Sequence, residues 1–263
     1  LGQLGSLQVR LAACDVEIEA AQRLRFNVFH HEFGAELDPT SILAQRDQDV
    51  FDAYCDHLIV LDNALAGEPS QQIVGTYRLM RKQHAEEAGG YYSADEFALA
   101  GLLARHADRN FLELGRSCVL PAYRSARTIE LLWQGIWSYA RQHDIDVMIG
   151  CASFAGTIPA QHAEALTFLN AHAKVCAQWH IAPLPGRHVD MDFMPTEAID
   201  LKSAVKRLPP LIKGYLRLGA SFGDGAVIDP KFRTVDVMVV LPVEHIKQRY
   251  KTYYGENGER YAA

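Results

Sequence analysis

Four short stretches of this 263-residue sequence set charged side chains among apolar neighbours. They are Arg25-Phe26-Asn27-Val28-Phe29, the acidic pair Asp52 and Asp56, Gly75-Thr76-Tyr77-Arg78-Leu79, and Glu113-Leu114-Gly115-Arg116-Ser117. A carboxylate such as Glu113 is suited to accept a proton, directly or through one water. Arg25, Arg78 and Arg116 are suited to grip a carboxylate through a two-pronged guanidinium. The same arginines can instead pair internally with Asp52 and Asp56, which share a face at i,i+4 if that stretch is helical. Both readings stay open at this level. Glu113 and Arg116 lie three apart, so on a flat strand they point to opposite faces. Gly115 between them permits a bulge that re-aims one side chain, and bulges gather at active sites.

The elements that must hold these residues follow from periodicity. Residues 8–13 alternate as a short strand, and Asp15 can cap a helix reaching about Phe33, with Ile18, Ala21, Leu24, Val28 and Phe29 on one stripe. Residues 34–50 are polar, irregular and too long for a simple connector, which predicts that they cover a site. Residues 57–61 and 73–80 read as strands joined by hairpin chemistry at Asn63, Gly67, Pro69 and Ser70. A weaker helical excursion at 89–110 precedes a strand at 111–120, stopped by Pro121. A strong helix at 128–143, a strand at 147–151, a helix at 159–173 and a last strand at 235–241 complete the reading. Residues 219–223 read as a flexible turn. The order predicts an α/β protein with a mixed central sheet flanked by helices. One domain over 1–263 is expected, with a C-terminal extension from about 200, and no repeat or linker divides it.

Composition narrows the class. At 49 % apolar and 22 % charged the chain is globular, and a formal charge of −6 argues against a general nucleic-acid binder. The charge is uneven, because residues 201–217 carry Lys202, Lys206, Arg207, Lys213 and Arg217 without an acid. Such a run suits an acidic partner, an anionic lipid surface or plain solvent. Five scattered cysteines without C-x-x-C suggest neither a disulfide framework nor a zinc ribbon, and the histidines show no metal spacing. No apolar run approaches a spanning helix and no signal-peptide pattern is visible, so a cytoplasmic location is expected, with peripheral contact at the inner membrane face as the further option. His57 and Asp62 match the H-x-x-x-x-D of glycerolipid acyltransferases. Residues five apart on a strand face opposite ways, however, and no E-G-T-R block follows.

Taken jointly and in this order, the motifs R-x-x-V-F (Arg25, Val28, Phe29), D-x-x-x-D (Asp52, Asp56), G-x-x-R-L (Gly75, Arg78, Leu79) and E-x-x-R (Glu113, Arg116) resemble the acyl-homoserine-lactone synthases. The run Leu208-Pro209-Pro210-Leu211-Ile212-Lys213-Gly214-Tyr215-Leu216-Arg217-Leu218-Gly219 and the following Asp224-Gly225-Ala226 are similar to a sister group, the ornithine N-acyltransferases that make lyso-ornithine lipid, often labelled haemolysin-like. The resemblance implies a GNAT fold and transfer of a (3-hydroxy)fatty acyl group to the α-amine of L-ornithine. It implies Glu113 and Arg116 as the catalytic pair and Arg25, Phe29, Asp52, Asp56 and Arg78 around the acceptor. Acyl transfer to nitrogen fits a carboxylate base, since the attacking amine must be unprotonated and the developing oxyanion needs a donor.

Many acetyl-coenzyme A enzymes of this fold cradle the donor diphosphate with R/Q-x-x-G-x-G/A. Here the turn reads Arg124-Ser125-Ala126-Arg127-Thr128, without glycine. Relatives that share this departure use acyl carrier protein, so the resemblance implies acyl-phosphopantetheine on that acidic protein as donor, with coenzyme A the alternative, and no tightly bound cofactor. Val119, Arg124, Arg127, Lys206 and Arg207 are then the residues expected to meet it. Trp133, Trp137 and Phe154 either line a slot for the acyl chain or pack the core. The remaining alternatives are a diffusible N-acyl amino acid or homoserine-lactone synthase, and a membrane-active protein, for which only 208–218 is faintly amphipathic.

Overall fold

A computed structural model describes residues 1–255 and 258–261. Strands β1 (Gly2–Leu4) and β2 (Leu7–Leu11) precede helices α1 (Asp15–Phe26) and α2 (Pro39–Ala44) and strands β3 (Asp56–Asp62) and β4 (Ile73–Arg81). Then come α3 (Lys82–Glu87), α4 (Leu99–Arg105), β5 (Phe111–Val119), α5 (Ala126–Gln142), β6 (Val147–Ala155) and α6 (Ala163–His172). The C-terminal part adds α7 (Leu201–Arg207), α8 (Pro210–Leu218), β7 (Ser221–Asp229), β8 (Thr234–Pro242) and α9 (Gln248–Tyr254). The chain is α/β, as its periodicity predicts. It divides into two compact units, one drawn from 1–90, 112–145 and the described part of 248–263, the other from 91–111 and 146–247.

In the first unit the strands lie in the order β1-β2-β3-β4-β5, each antiparallel to its neighbour. Both faces are covered, which is why β3 and β4 read as unbroken apolar runs. On one face Ala21, Leu24 and Val28 pack with Ile59, Leu61, Ile73 and Cys118. On the other, Gly135 lets α5 sit close to the strands, since a Cβ there would lie 2.7 Å from Val9 Cγ2 and 3.2 Å from Leu58 Cδ1. Helix α1 does not run unbroken to Phe33; it passes into a π-helical stretch over Asn27–Glu32.

The second unit is built on β6-β8-β7, again antiparallel. Here the expected turn at 219–223 is corrected. Gly219 ends α8 at φ +116, and Ser221–Asp229 is a strand paired with β8. Its alternation is disguised by glycine. A Cβ on Gly223 would lie 3.0 Å from the Ile181 carbonyl oxygen, and Gly225 takes φ +104 within the register shift between Phe222 and Ala226. The basic run forms two helices, α7 and α8, parted by Leu208 and Pro209. Among the described residues no helix is long and apolar enough to cross a membrane.

Candidate functional site

The charged motifs of the first unit converge on a closed ring of six side chains. Arg25, in the last turn of α1, meets Asp47 through Nε at 2.8 Å and Asp52 through Nη2 at 2.9 Å. Arg78, on β4, meets Asp49 through Nη1 at 2.6 Å and Asp52 at 3.4 Å. Arg116, on β5, meets Asp47 through Nε at 3.2 Å and Asp49 through Nη2 at 3.0 Å. Every aspartate bridges two arginines and every arginine two aspartates. The ring is electrically neutral and nearly dry, with the Arg25 side chain 1 % exposed, Arg78 3 % and Arg116 7 %. At Asp52 burial acts to raise the pKa, but Arg25 and Arg78 outweigh it and bring it down to about 2. Asp49 is lowered in the same way beside Arg78 and Arg116.

Local structure explains how separated residues meet. Asp49 and Asp52 cap each other across the short helical turn Val50–Tyr54, which fixes both carboxylates. On β5 the ladder with β4 jumps from Thr76↔Cys118 to Arg78↔Gly115, so Arg116 and Ser117 oppose Tyr77 alone. That is the expected bulge. The strained residue is Arg116 itself, at φ +51, while Gly115 keeps an ordinary backbone. The turn brings Arg116 to Asp49, which Arg78 also meets, where strict alternation would have sent it to the opposite face. Its two ion pairs hold a conformation that costs on the order of 1 kcal/mol for a side-chain-bearing residue.

Glu113 stands next in the same row, 4 % exposed and opposite Met80, with Arg78 opposite Gly115. Its charge and those of Asp52 and Asp49 reach Cys55, whose thiol burial pushes up to about 12. Burial lowers the pKa of His57, whose Nε2 lies 3.0 Å from the Asp52 carbonyl oxygen.

The other expected residues are placed differently. Asp56 does not share a face with Asp52; it begins β3, accepts a hydrogen bond from the Tyr139 hydroxyl and lies 3.5 Å from Arg81 Nε. The i,i+4 geometry fails because the helical turn ends at Tyr54. Phe29 packs against the α1 core cluster. Val119 ends β5 opposite Gly75, and its carbonyl accepts from Arg124 Nε at 3.0 Å. Arg124 also pairs with Glu32 at 2.5 Å, whereas Arg127 is exposed in the first turn of α5. In the second unit Arg207 Nε pairs with Glu164 at 2.9 Å and Lys206 is exposed. Trp133, Trp137 and Phe154 are buried, and Trp137 Nε1 donates to the Gly255 carbonyl at 2.8 Å. His57 and Asp62 sit near opposite ends of β3, and Asp62 accepts from the Tyr123 hydroxyl at 2.9 Å. Asp47 and Asp49 were not singled out by the sequence reading. The D-x-D within the expected covering segment is the signal that could have found them.

The second unit holds a contrasting cluster. Donor atoms of Glu96, Cys151 and Asp236 lie within 4.8 Å of one another, a set that could hold a metal ion. Cys151 Sγ donates to Glu96 Oε2 at 3.3 Å, and Arg187 Nη2 is 3.5 Å from Glu96 Oε1. Burial, with Asp236 and Asp229 nearby, raises Glu96 to about 7.

With this geometry in hand, known proteins place the chain. Residues 24–134 match the acetyltransferase (GNAT) domain family, a span that takes in Arg25, Arg78, Glu113 and Arg116. An L-ornithine N(alpha)-acyltransferase of Rhizobium meliloti (strain 1021) is 52 % identical over 100 % of this chain and 89 % of its own length. One from Brucella abortus (strain 2308) is 54 % identical over 99 % of this chain and 93 % of its own. In fold, the chain is similar to an N-acyl amino acid synthase from uncultured soil microbes, with a TM-score of 0.52 and 11 % identity over 90 % of this chain and 91 % of that one. The protein belongs to the family of L-ornithine N(alpha)-acyltransferases, within the GNAT fold.

Proposed function

We propose that this protein transfers a 3-hydroxyfatty acyl group from acyl carrier protein to the α-amine of L-ornithine, giving lyso-ornithine lipid. The observation that carries the acceptor is identity above one half, along the whole chain, to relatives named L-ornithine N(alpha)-acyltransferase. Glu113 is the base: the α-amine attacks the thioester carbonyl, its proton passes to the carboxylate directly or through one water, and as the C–S bond breaks that proton is handed on to the departing sulfur, which leaves as the pantetheine thiol. The ring supports a positioning role for Arg25, Arg78 and Arg116. All their aspartate partners are internal, so they fix the bulge and the row that carries Glu113 rather than waiting open for a substrate carboxylate. Asp52 acts inside that ring, and Phe29 packs with the apolar cluster that seats α1. Carrier protein is favoured as donor because the turn at Arg124-Ser125-Ala126-Arg127-Thr128 offers side chains where a diphosphate cradle needs glycine. Of the two exposed arginines there, Arg124 is paired with Glu32, and Arg127 suits an acidic protein. The two units act as one acyltransferase domain in the cytoplasm.

The experiment is turnover by purified protein with 3-hydroxyacyl carrier protein and an acceptor panel, read by mass spectrometry. Ornithine is expected to exceed norvaline and putrescine, which lack its distal ammonium and its carboxylate respectively, because the relatives matched along the whole chain are named for L-ornithine. Glu113→Gln is expected to lower turnover by about a hundredfold with unchanged thermal melting. S-adenosylmethionine as sole acceptor would overturn the acceptor, and near-normal turnover by Glu113→Gln would overturn the base.

A further inference from the structure

Helix α7 is mounted on the second unit from one side. Ala204 and Leu208 are buried, Ser203 Oγ donates to Glu164 Oε2 at 3.0 Å, and Arg207 Nε pairs with the same carboxylate at 2.9 Å. The rest of the helix faces outward. At about 100° per residue, Leu201 and Val205 fall within about 40° of one another, and Lys202 and Lys206 form the adjoining stripe. Leu201 keeps 51 % and Val205 41 % of its surface exposed, and both lysines are exposed. Helix α8 continues the same chemistry with Lys213 and the exposed Arg217, while Ile212, Tyr215 and Leu218 anchor it. Of the acids bordering α7, Asp200 caps the Lys202 amide at 3.0 Å, Glu164 is taken by Arg207, and Glu197 is exposed. The outward face is therefore apolar and cationic side by side.

We propose that α7 is a membrane-contact element that seats the enzyme reversibly on an anionic bilayer surface. Leu201 and Val205 enter the boundary between headgroups and acyl chains, and Lys202 and Lys206 lay their stems along it and meet lipid phosphates. Charge complementarity alone would also suit an acidic protein. Such a partner must in addition present an apolar groove shaped for Leu201 and Val205, whereas a bilayer supplies phosphate and hydrocarbon together. This assigns Lys206 to lipid rather than to the carrier protein, and leaves donor docking to the Arg127 surface. The inference rests on the reading that the product carries a fatty acyl chain. Every methylene of that chain favours bilayer over water, so an enzyme seated at the surface delivers product without passing it through solvent.

Vesicle flotation of the full chain tests this without substrate, so its outcome is independent of which amino acid is acylated. The protein is expected to float with vesicles of equal parts phosphatidylcholine and phosphatidylglycerol, to stay in solution with phosphatidylcholine alone, and to lose binding as salt rises. Lys202→Gln with Lys206→Gln is expected to lower the partition coefficient by about thirtyfold, at roughly fivefold per lysine. Leu201→Ser with Val205→Ser is expected to lower it by roughly tenfold while keeping its salt dependence. All four positions are exposed, and melting curves check that the variants remain folded. Absence of flotation with anionic vesicles, or variants that float like the parent, overturns the proposal. So does a lysine variant that floats normally but needs more acyl carrier protein for half-maximal rate, which would make α7 the carrier-protein surface.

Discussion

The ring in the first unit and the cluster in the second both confine carboxylates, and they do so with opposite electrostatics. Three aspartates alternate with three arginines around the ring, and Asp52 stays ionised down to about 2. In the second unit Glu96, Asp229 and Asp236 are each buried, Arg187 approaches Glu96 only at 3.5 Å with a third of its side chain exposed, and Glu96 rises to about 7. Burial penalises the charged form at both places. What differs is the number of cations close enough to offset it, so equally hidden acids titrate in opposite directions. The arginines hold Asp49 and Asp52 toward their charged forms, whereas burial and neighbouring carboxylates push Glu96 toward its neutral form.

Breaking the ring is expected to have the largest effect. Arg25→Met keeps bulk but leaves Asp47 and Asp52 short of a cation in a dry site, which should cost about 3–5 kcal/mol in denaturant unfolding. A loss below about 1 kcal/mol would mean that water reaches the ring and that its closure is not what holds the segment.

The pH response should separate the two regions next. Asp52 is depressed from 3.8 to about 2, so its contribution is fully present above the unfolded value and disappears as pH falls through the folded one. Glu96 is raised from 4.5 to about 7, so its contribution is complete below 4.5 and is lost as pH rises through 7. Glu96→Gln should therefore flatten the fall in stability between those values and raise stability at alkaline pH by about 3 kcal/mol. A melting profile with the same slope in parent and variant would show that Glu96 is not the group responsible.

The smallest expected effects contrast two strand glycines. Gly225→Ala in β7 forces a side chain into φ +104 with His188 Nε2 at 2.5 Å and Pro183 Cδ at 3.2 Å, and should cost about 2 kcal/mol. Gly115→Ala in β5 meets only Arg78 Nε at 4.0 Å and should cost under about 1 kcal/mol, with turnover retained. Equal losses at both positions would return the bulge to Gly115 and remove Arg116 as the residue that makes it.

Much of the first unit was legible because its signals are local. The unbroken apolar runs of β3 and β4, the stripe of Ala21, Leu24 and Val28, and the long helix α5 each report burial within a few residues. Glu113, Arg116, Arg78 and Arg25 stood out because charge in an apolar setting is rare enough to notice, and Glu113 with Arg116 flanked a glycine that suggested a bulge. The sequence alone therefore determined that Arg25, Arg78, Glu113 and Arg116 had to be accounted for and that the chain is α/β. It left open what each charge faces. That Asp47 and Asp49, rather than Asp56, complete the ring depends on the turn Val50–Tyr54 ending before Asp56, and on a segment without periodicity folding back onto β4 and β5. That Arg116 and not Gly115 takes the left-handed backbone depends on two ion pairs to residues more than sixty positions away. The strand β7 was hidden for a related reason, since its glycines answer to the Ile181 carbonyl and His188 rather than to their neighbours in the chain. Periodicity records which side of an element is buried. Which partner waits there is set by contacts between distant segments, and only the folded chain brings those together.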